Sequence, residues 1–111
     1  SLPNLEKLPP MEVSSGGVAI TFGLQKGWHI NDEAPSTLAL FDADKKLVAA
    51  YDLAAIKKGV YTPRLFPGKP FRLQGTLYYC EEKAGAQCLI KSFDVELRAG
   101  DGKKEIVLPL N

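Results

Sequence analysis

Cys80 and Cys88 are the only two cysteines in the chain, so a disulfide formed within one molecule has a single connectivity. Both lie in the run Leu-Tyr-Tyr-Cys-Glu-Glu-Lys-Ala-Gly-Ala-Gln-Cys-Leu-Ile-Lys. Strand-forming residues flank a short, polar, Gly-bearing stretch there, which is the signature of a β-hairpin with a cysteine at each side of its neck. A pair so placed can do one of two things. It can staple the loop, closing a ring of about nine residues for ~2.5 kcal/mol in the chain-entropy model. Or it can cycle between dithiol and disulfide, which requires an accessible or thiolate-stabilised sulfur. Glu81 and Glu82 beside Cys80 disfavour a thiolate, and the nearest cations in sequence are Lys83 and Lys91. There is no Cys-x-x-Cys at a helix start, so the pair is not a thioredoxin-type active site.

The other chemistry-bearing residues give weaker patterns. Two cysteines and one histidine do not make a four-ligand zinc site without carboxylates from elsewhere, so neither a metal nor any other cofactor is expected. His29, the only histidine, follows Trp28. It reads as a general base or ligand, or as a packed loop residue with one backbone hydrogen bond. No Ser/His/Asp spacing or phosphate-cradling Gly loop points to hydrolysis. Asp42, Asp44, Glu81, Glu82 and Asp101 fall in turns, where solvated charge is the default. Tyr61, Tyr78 and Tyr79 could supply an aromatic recognition patch or ordinary cross-strand packing.

The elements that would hold the cysteines are strands. Phe71, Leu73, Gly75, Leu77 and Tyr79 alternate with Arg72, Gln74, Thr76, Tyr78 and Cys80. Leu89, Lys91, Phe93, Val95 and Leu97 alternate with Cys88, Ile90, Ser92, Asp94 and Glu96. Both cysteines fall in the polar phase, which predicts side chains on one outer face and Cα atoms about 4.4–6.8 Å apart. The expected core is Phe71, Leu73, Leu77, Tyr79, Phe93, Val95 and Leu97, with Val18, Ile20 and Phe22 from an earlier strand.

Elsewhere, Gly16-Gly17 suggests a hairpin turn between residues 11–14 and the strand containing Val18. Residues 27–36 read as an irregular crossing, with Pro35 holding Ala34 extended. Residues 38–41 and 47–51 flank a turn-forming stretch and predict another hairpin. Asp52 as N-cap and Gly59 as stop predict a helix of one or two turns. Residues 61–70 read as loop or edge, and Gly100-Asp101-Gly102 as a turn before a last strand. The sum is an extended lead-in over residues 1–10 and a single all-β sandwich over residues 11–111, with about seven to nine short strands and at most one short helix.

Composition narrows the class further. The 111 residues, 45% apolar and 24% charged, are those of one globular domain that buries roughly 65% of its unfolded surface. A formal net charge of +1, with Lys57-Lys58 and Lys103-Lys104 as isolated pairs, gives no stripe for nucleic acid. No apolar run approaches the ~20 residues of a membrane span, so no direct membrane insertion is expected. The chain starts at Ser1 without a signal-peptide pattern, which reads as an excised domain or a mature exported form. The even, minimal cysteine count favours an extracytoplasmic (periplasmic or secreted) setting.

Gly27-Trp28-His29-Ile30-Asn31, followed by Tyr78-Tyr79-Cys80 and Cys88-Leu89-Ile90, resembles the N-terminal-domain family of the transmembrane thiol:disulfide reductase DsbD. The longer string Gly-Trp-His-Ile-Asn-Asp-Glu-Ala-Pro-Ser is also similar to the small C-terminal β-sandwich of thioredoxin-like/NHL-repeat proteins. The resemblance spans residues 12–110 and implies an immunoglobulin-like β-sandwich. In redox-active members a hairpin cysteine pair takes electrons from a membrane domain and passes them to exported thioredoxin-like partners. Cys80 and Cys88 match those two positions by order and hairpin placement, which would make them the catalytic pair of a thiol–disulfide exchange domain. The loop here is two residues longer than in the reductase. An aromatic cap loop shields the pair in that family, and Phe66 is the candidate for it here. Many relatives fused to NHL repeats use the sandwich as an accessory or interaction module, and the alternative reading of this chain is such a non-catalytic module with a purely structural disulfide.

Overall fold

A computed structural model describes residues 2–111. Two long strands, β8 (Phe71–Glu81) and β9 (Cys88–Gly100), form the hairpin that organises the molecule. Their apolar alternation lets one face bury while the other carries most of the polar residues. Leu73, Leu77, Phe93, Val95 and Leu97 have no solvent exposure, and Phe71 and Tyr79 are buried beside them.

The hairpin recruits strands along both of its edges. β1 (Leu5–Lys7) and β2 (Met11–Ser14) run parallel to β9, separated by Pro9-Pro10, which cannot donate to the ladder. β4 (Trp28–Ile30) and β5 (Thr37–Phe41) run antiparallel to successive stretches of β8. β6 (Leu47–Tyr51) pairs with β5 across the expected turn, with a register shift between Leu40 and Phe41. This gives a seven-stranded sheet.

The second sheet has three strands, in the order β10 (Glu105–Pro109), β3 (Ala19–Gly23), β7 (Val60–Tyr61). Val18 and Ile20 from the β3 segment, and Ile106 and Leu108 from β10, face the large sheet in one continuous core. Phe22 is half-buried and stacks on Phe93 across the gap, with ring centroids 6.1 Å apart. Helix α1 (Leu53–Lys58) begins where Asp52 accepts a hydrogen bond from the Ala55 N–H at 2.9 Å, and it stops at Gly59. Its Ile56 is buried in the common core. Among the described residues no helix is long and apolar enough to cross a membrane.

The all-β sandwich with one short helix is as the sequence predicts, while several local expectations need correcting. The described residues form ten strands, against the about seven to nine expected. Part of the extended lead-in, Leu5–Lys7, is itself a strand of the large sheet. Gly16-Gly17 does form a turn, with Gly17 at φ 117° and its N–H donating to Ser14 O. Yet β2 and β3 do not pair: the turn carries the chain from one sheet to the other. The same happens at the far end of β9. There Gly102 passes so close to β2 that a Cβ would overlap the Glu12 carbonyl, and the chain crosses to pair β10 with β3 in parallel. The irregular crossing over residues 27–36 contains a true strand, β4.

Candidate functional site

The site sits at the tip of the β8–β9 hairpin. Cys80 and Cys88 are directly opposed in the β8–β9 register and are joined in a disulfide. Their Cα atoms are 4.1 Å apart. That is below the 4.4–6.8 Å expected and close to the ~4.5 Å of an antiparallel pair without mutual backbone bonds. The next pair along closes the neck. The Glu81 N–H donates to Gln87 O at 3.0 Å, and the Gln87 N–H donates to Glu81 Oε1 at 3.1 Å. Lys83 adds an ion pair to Glu81 at 3.2 Å.

The Gln87 N–H and, after it, Lys83 hold the Glu81 carboxyl below the usual glutamate range. The sign of the pH effect follows. A group whose pKa is lowered by folding contributes fully above its unfolded pKa, and that contribution disappears as pH falls through the folded value. The protection factor of the Gln87 amide is therefore expected to fall as pH drops through and below the ordinary glutamate range. Glu81→Gln, which has no ionisation to lose, should give a flat profile over that range. A wild-type profile equally flat would show that the carboxylate does not brace the neck.

The two sulfurs sit in unlike surroundings. Cys80 is 6% exposed although it faces the outer side of the sheet, whereas Cys88 is exposed. The neighbouring strands explain the difference. β4 covers the Cys80 edge, tied down by the Glu82 N–H donating to Gly27 O at 2.8 Å and the Asn31 N–H donating to Tyr78 O at 2.8 Å. On the Cys88 edge, β1 pairs only from Ser92 onward, and Asn4 reaches no further than Ile90 O.

β4 also sets His29 directly opposite Cys80, with Trp28 opposite Glu81 and Ile30 opposite Tyr79. Directly opposed residues share a face, so His29, Cys80 and Cys88 form one row across three strands. Trp28 and Ile30 point the other way: Trp28 packs on Tyr79, with ring centroids 5.7 Å apart, and Ile30 is buried. His29 is thus a strand residue rather than a packed loop residue with a backbone hydrogen bond. Its Nδ1 is shielded from solvent and has no hydrogen-bond partner among the described residues, although the side chain as a whole is 44% exposed. Glu82 Oε1 lies 3.9 Å from that nitrogen. Nearby, Asp32 is ion-paired with Lys57, whose ammonium lowers the Asp32 pKa through a hydrogen bond and its charge.

The remaining sequence candidates are not part of this row. Lys83 is engaged with Glu81. Lys91 lies in the core phase, 3.7 Å from Glu6 and with its ammonium 5.9 Å from the Phe93 ring centroid. Lys83 opposes the Glu81 carboxylate as expected, whereas Lys91 pairs with Glu6 instead of a carboxylate at Cys80. Phe66 is 78% exposed in the loop before β8 and shares a groove with Phe71, Pro67 and Arg64. Phe71 begins the strand that Cys80 nearly ends, roughly 30 Å away at ~3.3 Å per residue, so Phe66 does not cap the cysteines. The three tyrosines do not gather either: Tyr79 is in the core, Tyr78 is half-buried on the outer face, and Tyr61 is exposed on the other sheet.

His29 is the residue that local sequence reasoning undervalued. The signal was the apolar–His–apolar triplet of Trp28, His29 and Ile30, which has the period of a strand and sets the histidine in the outer phase. No protein-family model and no curated protein matches this chain, so the chemistry of the site rests on its geometry.

Proposed function

We propose that this chain is a β-sandwich domain of the DsbD N-terminal type that exchanges its Cys80–Cys88 disulfide with a thioredoxin-like partner in an extracytoplasmic compartment. The observation that carries this reading is the unequal exposure of the two sulfur-bearing residues, with Cys88 open and Cys80 covered. Exchange needs one sulfur that a partner can approach in line and a second that can leave. A partner thiolate attacks Cys88 Sγ, the Cys80–Cys88 bond breaks, and its electron pair goes to Cys80 Sγ. The partner's second thiol then attacks the mixed disulfide. The partner ends as a disulfide and this domain as a dithiol; the reverse direction uses the same steps.

The neck geometry supports the same reading. Two hydrogen bonds and an ion pair hold Glu81, Lys83 and Gln87 together next to the disulfide. With that brace and a continuous core beneath, reduction can proceed without loss of the fold. The burial of Cys80 also suits the other reading, a structural staple in an interaction module.

A redox titration separates the two. Reversible reduction at a potential above about −300 mV, with the fold retained and electrons passed between this domain and a thioredoxin-like protein, is the expected result. A bond that survives millimolar glutathione in the folded state and does not exchange with a thioredoxin-like protein would leave only the staple.

A further inference from the structure

The geometry points to His29 as the charge partner of Cys80 in this exchange, an inference that rests on the function proposed above. Two independent observations put the imidazole beside Cys80. Strand alternation sends Trp28 and Ile30 into the core and His29 outward, opposite Cys80. Its Nδ1 also comes within 3.9 Å of Glu82, which follows Cys80 by two residues, one past the end of β8. Directly opposed residues have Cβ atoms about 4.5–5.5 Å apart, so a sulfur anion on Cys80 and an imidazolium on His29 are within reach of a charge pair.

The disulfide state leaves that capacity unused. His29 Nδ1 is a covered polar atom without a partner, an arrangement that calls for an explanation because buried polar groups are nearly always satisfied. Breaking the disulfide creates a charged acceptor one strand away. The groups facing His29 are few. Glu82 is at 3.9 Å, Asp32 is already paired with Lys57, and Lys57 and Lys58 line the same shallow groove. From β8, Glu81 is committed to Lys83 and the Gln87 N–H. Lys83 offsets Glu81, and among the described residues Glu82 has no ion-pair partner other than His29.

The step balances. As the partner thiolate bonds to Cys88 Sγ, the electron pair of the broken S–S bond settles on Cys80 Sγ. The His29 imidazolium holds that thiolate as an ion pair and keeps its proton until the pH rises through its own midpoint. In the reverse direction the paired Cys80 thiolate attacks Cys88 Sγ in the mixed disulfide, releasing the partner's thiolate, and His29, no longer facing an anion, gives its extra proton to solvent.

Because His29 is the only histidine, its ring protons give a single, assigned pair of NMR signals, and the first measurement needs no mutation. Its titration midpoint is expected to lie about one pH unit or more higher in the dithiol form, reduced with dithiothreitol, than in the disulfide form. Linkage requires the converse. In Cys88→Ser, the thiolate absorbance of Cys80 should titrate higher by a similar amount once His29→Gln is added. Coincident His29 midpoints in the two redox forms, or an unchanged Cys80 midpoint with His29→Gln, overturn the inference. Exchange with a thioredoxin-like protein but no such coupling overturns the role of His29 and leaves the proposed function standing. Coupling without exchange overturns the function and, with it, the use of His29 in catalysis.

Discussion

Replacing Phe93 with Ala is expected to lower stability by about 3–5 kcal/mol, read as a lower denaturant midpoint with an unchanged slope. Phe93 is fully buried near the middle of β9, between Gly75 on β8 and Glu6 on β1. Its ring meets Phe22 of the small sheet, so it bridges the two layers rather than merely filling one. The cost reaches the upper part of the usual range because the void has little to collapse into it. The residue directly opposite is Gly75, which has no side chain, and a Cβ there would already collide with Leu38 and the Thr37 carbonyl. Phe22→Ala should cost less, since Phe22 is only half-buried. A Phe93→Ala loss under about 1 kcal/mol would mean that the ring does not join the sheets. The phase that puts the cysteines on the outer face would then be wrong too, because both follow from one alternation.

That alternation is where the sequence is most legible. Over β8 and β9, strands of 11 and 13 residues, a period of two slips at Ile90 and Lys91 but runs long enough to fix which face is buried and therefore where Cys80 and Cys88 point. The β5–β6 hairpin and α1 are legible for a different reason, since their signals are local: a turn at residues 42–46, the Asp52 cap and the Gly59 stop. What the sequence hides are the pairings between distant segments. β2 follows a Gly-Gly turn, and locality suggests that it pairs with what comes next. It instead lies beside Leu97 to Gly100, because its Val13 can then join the common core. β4 is three residues long, too short for its period to stand out between Gly27 and Asn31, and its partner is some fifty residues away. The functional consequence is specific. The disulfide belongs to the legible hairpin, whereas its pairing with His29 depends on the hidden strand. The misplaced cap has the same origin: Phe66 is followed closely by β8 in sequence but enters it at the end opposite the cysteines.

The trapping efficiencies of the two single-cysteine variants are expected to differ by at least about tenfold, because rates of disulfide exchange follow access to the attacked or attacking sulfur. Cys80→Ser leaves the exposed Cys88 free, and it should form a mixed disulfide readily with an oxidised thioredoxin-like protein. Cys88→Ser leaves Cys80, 6% exposed and covered on its flank by β4, and adduct formation should be slow. Hairpin opening can raise the slower rate, so the comparison should be made under conditions where the neck is intact, above the pH range in which Glu81 protonates. At that pH the difference reports the architecture of the edge: β4 over Cys80, and no strand over Cys88 among the described residues. Equal rates would show that the neck opens before either sulfur reacts, making access a property of the loop at residues 82–87 rather than of the strands beside it. Faster trapping through Cys80 would reverse the assignment of attacked and leaving sulfur. No adduct from either variant, in protein that is otherwise folded, would remove the exchange function altogether. The asymmetry is thus the sharper test of mechanism, because exchange requires one sulfur that a partner can approach and a second that can leave.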